Sequence, residues 1–318
     1  MLLPALGTSI RKEDEEMKLT AEALRIDPER ISHQIEAFIR DKMMELHRDG
    51  VIVGLSGGID SSTVAHLCVR SLGPDKVSGI NMCEKDSDPT VRNEEDSKLV
   101  ADSLGIKFET KDLTSTLQEL GTYGLVPTRL LGSKKLAGRA FGIYHKVTKA
   151  VGRDQYAGGL SRNKLTARAR AYASSKHRLR LAYLYLRAEA ENLLVVGAAN
   201  RTEYLTGFVV KGGVDSIADI MPIMGLHKPQ VRQLAGYLGV PQGIIDKPPS
   251  PDLLPGIKDE DVLGSYDRLA LILFGLEKGL SPEEMGDQFG RKEVNRVIAL
   301  MENSRHMREE VYVPDLTM

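Results

Sequence analysis

The chain is predicted to fold as an α/β domain on a doubly wound parallel sheet, with a helical C-terminal part and a basic insertion. Three observations lead there. Short apolar runs suited to strands buried on both faces, Val51-Ile52-Val53 and Leu193-Leu194-Val195-Val196 among them, alternate with stretches of helical periodicity. No hairpin signal joins one run to the next, so the crossovers must be helical and the strands parallel. The 318 residues, 42% of them apolar, are enough for one large domain with extensions.

The elements follow in order. Residues 1 to about 28 lack sustained apolar periodicity and carry the run Arg11-Lys12-Glu13-Asp14-Glu15-Glu16, which reads as a flexible N-terminal arm ahead of a domain over 29–318. Ile31, Ile35, Phe38 and Ile39 recur at helical spacing and predict an amphipathic helix to about His47. A strand then runs from Val51 to Leu55, Ser56-Gly57-Gly58 breaks it, and Asp60-Ser61-Ser62 opens a helix to about Ser71. Val77 to Met82 is a second strand, Thr90 to Leu104 a helix, and Ile106-Lys107-Phe108 a third strand. Arg178 to Glu191 reads as a helix leading into the strand at Leu193. Helices are expected at Val231–Leu238, Asp261–Phe274, Pro282–Phe289 and Arg291–Arg305. Between Gly121 and Arg180 lie fourteen Lys or Arg residues and one acid, Asp154. The part at about 121–175 reads as a solvated insertion or as a clamp for a polyanionic ligand.

The bulk properties exclude several classes of function. Lys plus Arg number 43 against 44 acids, a balance that argues against a dedicated nucleic-acid binder. The two cysteines, Cys68 and Cys83, make neither a C-x-x-C nor a Cys/His metal pattern and read as reduced thiols of a cytoplasmic protein. No apolar run approaches the ~18 residues a membrane span requires, and the first thirty residues are too charged for a signal peptide.

The most informative string is Leu55-Ser56-Gly57-Gly58-Ile59-Asp60-Ser61-Ser62. It is not a G-x-x-x-x-G-K-[ST] loop, but its physics is related. Two glycines allow close backbone approach to a ligand, and the helix start that follows offers unpaired N–H groups and a positive dipole end to an anion. Ser56, Ser61 and Ser62 can add hydroxyl donors. Asp60 would repel a bare anion, so its presence calls for a divalent cation between carboxylate and phosphates. The alternative is a plain β-turn with an N-capping Asp, and the preceding buried strand with the following apolar helix favours the phosphate loop.

This string resembles the pyrophosphate loop of the N-type ATP pyrophosphatases, which cleave ATP between its α- and β-phosphates and leave an adenylated substrate. The resemblance implies an adenine nucleotide alpha-hydrolase-like sheet. A second, ordered series narrows the likeness: Gly197-Ala198-Ala199-Asn200-Arg201-Thr202-Glu203, Thr206-Gly207-Phe208-Val209-Val210-Lys211, Ala218-Asp219, Leu226-His227-Lys228, and Lys247-Pro248-Pro249-Ser250 with Asp259-Glu260-Asp261. Over residues 50–112 and 174–314 the chain is similar to the ammonia-dependent NAD synthetases. That likeness implies Mg2+ on Asp60 and Glu203, and ATP held by Ser56, Gly57, Gly58, Asp60, Ser61, Ser62, Lys228 and Ser250. It gives Asp60 and Lys228 the catalytic roles, and assigns nicotinic acid adenine dinucleotide (deamido-NAD) to Arg178, Lys211, Asp219 and His306. A homodimer is also implied.

Some positions depart from that pattern. Ala198 stands where the family has Thr, Ser174 where it has Asn, and Met307 where it has Lys. The Lys211–Asp219 stretch is one residue longer, and the basic segment replaces a short link. ATP chemistry tolerates these changes better than substrate identity does, so an adenylating amidase for another carboxylic acid is a rival reading. A tRNA-thiolating enzyme and an ATP-sensing module are further rivals, the first weakened by the lack of motif-placed cysteines. Neither cysteine sits in a recognisable amidotransferase setting, so free ammonia, or ammonia from a separate protein, is the expected nitrogen source.

Overall fold

Four segments become strands, three of them apolar and the third in chain order largely polar: β1 (Gly50–Gly54), β2 (Val77–Cys83), β3 (Lys107–Asp112) and β4 (Leu193–Val196). They pair in parallel in the order β3-β2-β1-β4, with Val53 opposite Gly79 on one side and Val196 on the other. The molecule is described by a computed structural model over residues 18–86, 92–126, 164–248, 259–309 and 312–314. Because side chains alternate along a strand, Val51 and Val53 enter the core on one face while Ile52 faces the other.

Helices cover both faces. On the first lie α1 (Pro28–Glu45), α2 (Ile59–Leu72) and α3 (Asn93–Leu104), packing Ile39, Leu67 and Val100 against Val51, Val53 and Leu194. On the second, α4 (Thr114–Glu119) and α5 (Lys164–Glu191) bury Leu117, Leu184 and Ala188 against Ile52, Ile80 and Val195. After β4 come α6 (Arg201–Thr206), α7 (Lys228–Leu238) and α8 (Gln242–Ile245). The C-terminal helices are α9 (Asp259–Leu263), α10 (Tyr266–Glu277), α11 (Pro282–Phe289), α12 (Arg291–Asn303) and α13 (Arg305–Arg308). They build a second core around Leu269, Leu273, Met285 and Val297. Among the described residues, no helix is long and apolar enough to cross a membrane.

The strand order places the site. From β1 the chain winds outward through β2 to β3, then returns to add β4 on the opposite side of β1. The loops leaving β1 and β4 therefore diverge at the carboxyl edge, the crevice where open α/β sheets bind ligands. The loop after β1 is the glycine string, and the loop after β4 is the 197–203 series.

Four expectations need correction. The arm read as flexible through residue 28 is docked from Leu19 onward. Leu19 and Leu24 are buried, the Leu19 N–H donates to Gln288 Oε1 at 3.1 Å, and Asp27 caps α1 through the Arg30 N–H. Leu19, Ala23, Leu24 and Ile26, scattered among polar residues, make no sustained period, yet their packing suffices to anchor the segment. The α5 helix begins at Lys164 rather than Arg178, so the C-terminal end of the basic insertion is helical. The β3 strand continues to Asp112, past its apolar start, because its outer side is a sheet edge with polar side chains. The helix expected over Asp261–Phe274 is two helices, broken at Gly264-Ser265. Residues 127–163, including most of the insertion, and Ser250 lie outside the described residues.

Candidate active site

The bend after β1 is held by its own serines. The Ser61 hydroxyl accepts from the Ser56 N–H at 3.2 Å and donates to the Gly58 carbonyl at 3.2 Å. The Ser62 hydroxyl donates to the same carbonyl at 2.8 Å and is fully buried. Ser61 and Ser62 thus shape the loop from within, and Ser56 is the exposed member of the three. Gly58 is the N-cap of α2 and offers no side-chain acceptor, which leaves the first-turn N–H groups for a ligand. Gly57 has φ +70°, and a Cβ there would stand 2.5 Å from the Asn93 carbonyl oxygen. Glycine is therefore required twice over at this position. Lys247 closes the arrangement from outside, donating to the Gly57 carbonyl at 3.2 Å, Asn93 Oδ1 at 3.0 Å and Asp96 Oδ2 at 2.6 Å.

Asp60, on the first turn of α2, meets the loop after β4. Asn200, fully buried at the N-cap of α6, accepts from the Glu203 N–H at 3.1 Å and donates through Nδ2 to Asp60 Oδ1 at 3.2 Å. One amide thereby sets both carboxylates. Lys228, at the start of α7 and only 2% exposed, ion-pairs with Asp60 and reaches Glu203 Oε1 at 3.4 Å. Its backbone N–H donates to Thr202 Oγ1 at 3.1 Å, tying α7 to α6. Behind it, Thr202 Oγ1 lies 3.3 Å from His227 Nδ1, and His227 Nε2 lies 2.9 Å from Glu277 Oε2. Tyr266 is buried under the group, its hydroxyl donating to Asp259 Oδ2 at 3.0 Å and lying 3.4 Å from Glu203 Oε1.

The electrostatics of this group are unbalanced. Three carboxylates, Asp60, Glu203 and Asp259, surround one ammonium, Lys228. Burial pushes the Glu203 carboxyl up to about 8, with the Asp60 and Asp259 charges adding to it and Lys228 opposing. Burial likewise pushes Asp259 up to about 6. Burial disfavours the Lys228 ammonium, but Asp60 and Glu203 outweigh that and hold it above its ordinary range. Asp259 Oδ1 is buried and finds no hydrogen-bond partner among the described residues. Among the described residues no three acids, histidines or cysteines are gathered as a ready metal site, so a hard divalent cation fits here only on the Asp60 and Glu203 oxygens together with oxygens of a bound ligand.

The residues expected to hold an acid substrate fall into two places. The Arg178 guanidinium donates to the Lys211 carbonyl at 3.1 and 3.3 Å, and Lys211 Nζ donates to the His306 carbonyl at 2.6 Å. These three residues, spread over 129 positions of sequence, are joined in one chain of contacts. Asp219 stands elsewhere: its Oδ2 accepts from the Val195 N–H at 2.8 Å and its Oδ1 accepts from the Tyr185 hydroxyl at 3.0 Å. Asn200, Lys247, Asp259 and Tyr266 carry no role that the sequence alone makes visible. The first three sit inside the strings that carried the resemblance, and Tyr266 had no local signal.

The sequence pattern of the NAD synthase family matches residues 31–134 and 153–311. The chain is 38% identical over 291 residues to an NH(3)-dependent NAD(+) synthetase of Methanocaldococcus jannaschii, covering 91% of this chain and 97% of that protein. A protein of the same description from Rhizobium meliloti is 35% identical over 317 residues, with 92% of each chain covered. Among solved structures, the fold is similar to an NMN synthetase from Francisella tularensis, at TM-score 0.69 and 24% identity over 92% of this chain and 100% of that one. It is also similar to an NH3-dependent NAD synthetase from Campylobacter jejuni, at TM-score 0.66 and 22% identity over the same shares.

Proposed function

Since the chain belongs to the NAD synthase family, we propose that it is a carbon–nitrogen ligase that converts deamido-NAD to NAD with ATP and ammonia, releasing AMP and pyrophosphate. The observation that carries this reading is the meeting of Asp60, Glu203 and Lys228 where the loops after β1 and β4 diverge. A nucleotide polyphosphate there finds N–H donors from α2, one ammonium and a pair of carboxylates able to share a cation with it.

The chemistry follows from the charges. The nicotinate carboxylate is a poor acyl donor because its leaving group would be oxide. One of its oxygens attacks the α-phosphorus of ATP, the bond to the β-phosphate oxygen breaks, and pyrophosphate leaves. Ammonia then attacks the carbonyl carbon of the acyl-adenylate, AMP departs with the bonding pair, and the nitrogen sheds a proton. The protein positions the reactants and offsets charge, with no covalent nucleophile. The loop from Ser56 to Ser62 holds the departing pyrophosphate, and Lys228 supplies a cation to the same oxygens. Asp60 and Glu203 would hold Mg2+, which neutralises phosphate charge when bound. Arg178, Lys211 and His306 form the substrate-holding group, supported by their mutual contacts; Asp219 acts from its place beside β4, and Ser250 completes the ATP contacts. A cytoplasmic homodimer fed with free ammonia, or by a separate ammonia-supplying protein, completes the reading.

The test is AMP release by the purified chain with ATP, Mg2+ and ammonium, comparing deamido-NAD with nicotinate mononucleotide and simpler carboxylates. Deamido-NAD should be strongly preferred, and Asp60→Asn should lower turnover by at least about a hundredfold. Formation of ADP and orthophosphate, or near-normal Asp60→Asn activity, would overturn the reading.

A further inference from the structure

Lys228 occupies an unusual position for a residue that is to meet phosphate. Its ammonium is buried and paired with Asp60 and Glu203, and it lies 5.3 Å from the centre of the Tyr266 ring. The pair it bridges is the one that would hold Mg2+. The backbone beneath it is fixed, because the Lys228 N–H is bonded to Thr202 and the residue opens α7 just before Pro229. Only the flexible side chain can move, and its length is enough to carry the ammonium several ångströms.

We propose that Lys228 is the resident cation of this acidic site, holding Asp60 and Glu203 together until a nucleotide arrives and yielding them to a divalent cation only then. The proposal rests on the functional reading above and adds to it an order of events. A divalent cation entering alone must displace the ammonium from Asp60 and Glu203 and leave it buried with Asp259 as the remaining nearby carboxylate and no direct ion pair, which is a costly way to break a buried pair. When phosphates are present the ammonium has new acceptors, and the exchange conserves pairing: carboxylates to metal, metal to phosphate, phosphate to ammonium. Metal and nucleotide therefore bind with strong mutual coupling. Asp259, with one oxygen on Tyr266 and the other unpartnered, leaves the site short of positive charge even with Lys228 in place. That shortfall gives the incoming cation a reason to stay.

The experiment is Mn2+ binding to the purified full-length chain without nucleotide, read by electron paramagnetic resonance of free Mn2+. Wild type should bind no Mn2+ at this site tighter than about 1 mM. Lys228→Met should bind at least about tenfold more tightly, and Glu203→Gln in the same background should abolish the gain. Equal binding by wild type and Lys228→Met overturns the proposal. If Lys228→Met does not fold, the wild-type titration decides: sub-millimolar binding that disappears in Asp60→Asn overturns the proposal, and its absence supports it. AMP release by the wild type separates the two readings. Activity combined with ready Mn2+ binding by the empty chain refutes the resident cation and leaves the ligase intact. Lack of AMP formation, with Mn2+ binding gained in Lys228→Met, refutes the ligase alone.

Discussion

Replacing Gly57 by Ala tests whether the bend after β1 is a rigid phosphate cradle. The backbone there has φ +70°, which costs an L-residue about 1–2 kcal/mol. The added methyl would also stand 2.5 Å from the Asn93 carbonyl oxygen and 3.0 Å from its Cα, both backbone atoms at the start of α3. No side chain can swing aside, so the loop or the helix must shift, which adds about 1–3 kcal/mol. Gly105 provides the control, since its φ is +67° but nothing lies within 4 Å of the point where a Cβ would stand. Gly105→Ala should therefore lose only the strain, about 1 kcal/mol in urea denaturation, and keep full AMP release. Gly57→Ala should lose roughly twice as much or more, and its kcat/KM for ATP should fall about a hundredfold, since a 1 Å displacement near reacting groups has that effect. Equal stability losses in the two variants, or a fully active Gly57→Ala, would refute the cradle argument.

Further outcomes follow from the same contacts. Lys247→Met removes three bonds to the loop and α3, and should destabilise the protein by about 1–3 kcal/mol while raising the KM for ATP more than it lowers kcat. Steady-state kinetics beside a urea titration would show an effect on kcat alone if the clamp is irrelevant to binding. Burial raises the Glu277 carboxyl, but hydrogen bonds from His227 and Arg201 outweigh it and hold the group below its ordinary range. Its stabilisation is therefore present above the unfolded carboxylate pKa and is lost as pH falls through the folded value. Glu277→Gln should cost stability at pH 7, and the deficit should shrink toward pH 4; a deficit independent of pH would contradict this. Arg178→Lys keeps the charge but loses the planar fork that grips the Lys211 carbonyl, and should raise the KM for deamido-NAD about tenfold with little change for ATP.

The sequence by itself determined the sheet and the loop. Buried parallel strands need continuous apolar runs, so Val51–Val53 and Leu193–Val196 announce themselves locally, and the glycine string after the first shows how the backbone must turn. The ordered strings after β4 pointed to the family, although no single Lys or Glu within them differs from a surface residue by any local rule. What only the tertiary structure decided is where charges meet. Asp60 and Lys228 stand 168 positions apart, and β4 had to insert beside β1 before one buried ammonium could bridge the acids of two loops. Tyr266 and Asp259 joined that group through packing of the C-terminal helices, and Leu19 docked because those helices offered it a place. Strand periodicity is a short-range property of the chain. The desolvation that shifts the Glu203 and Asp259 carboxyls and seals Lys228 beside Asp60 exists only once distant segments exclude water together.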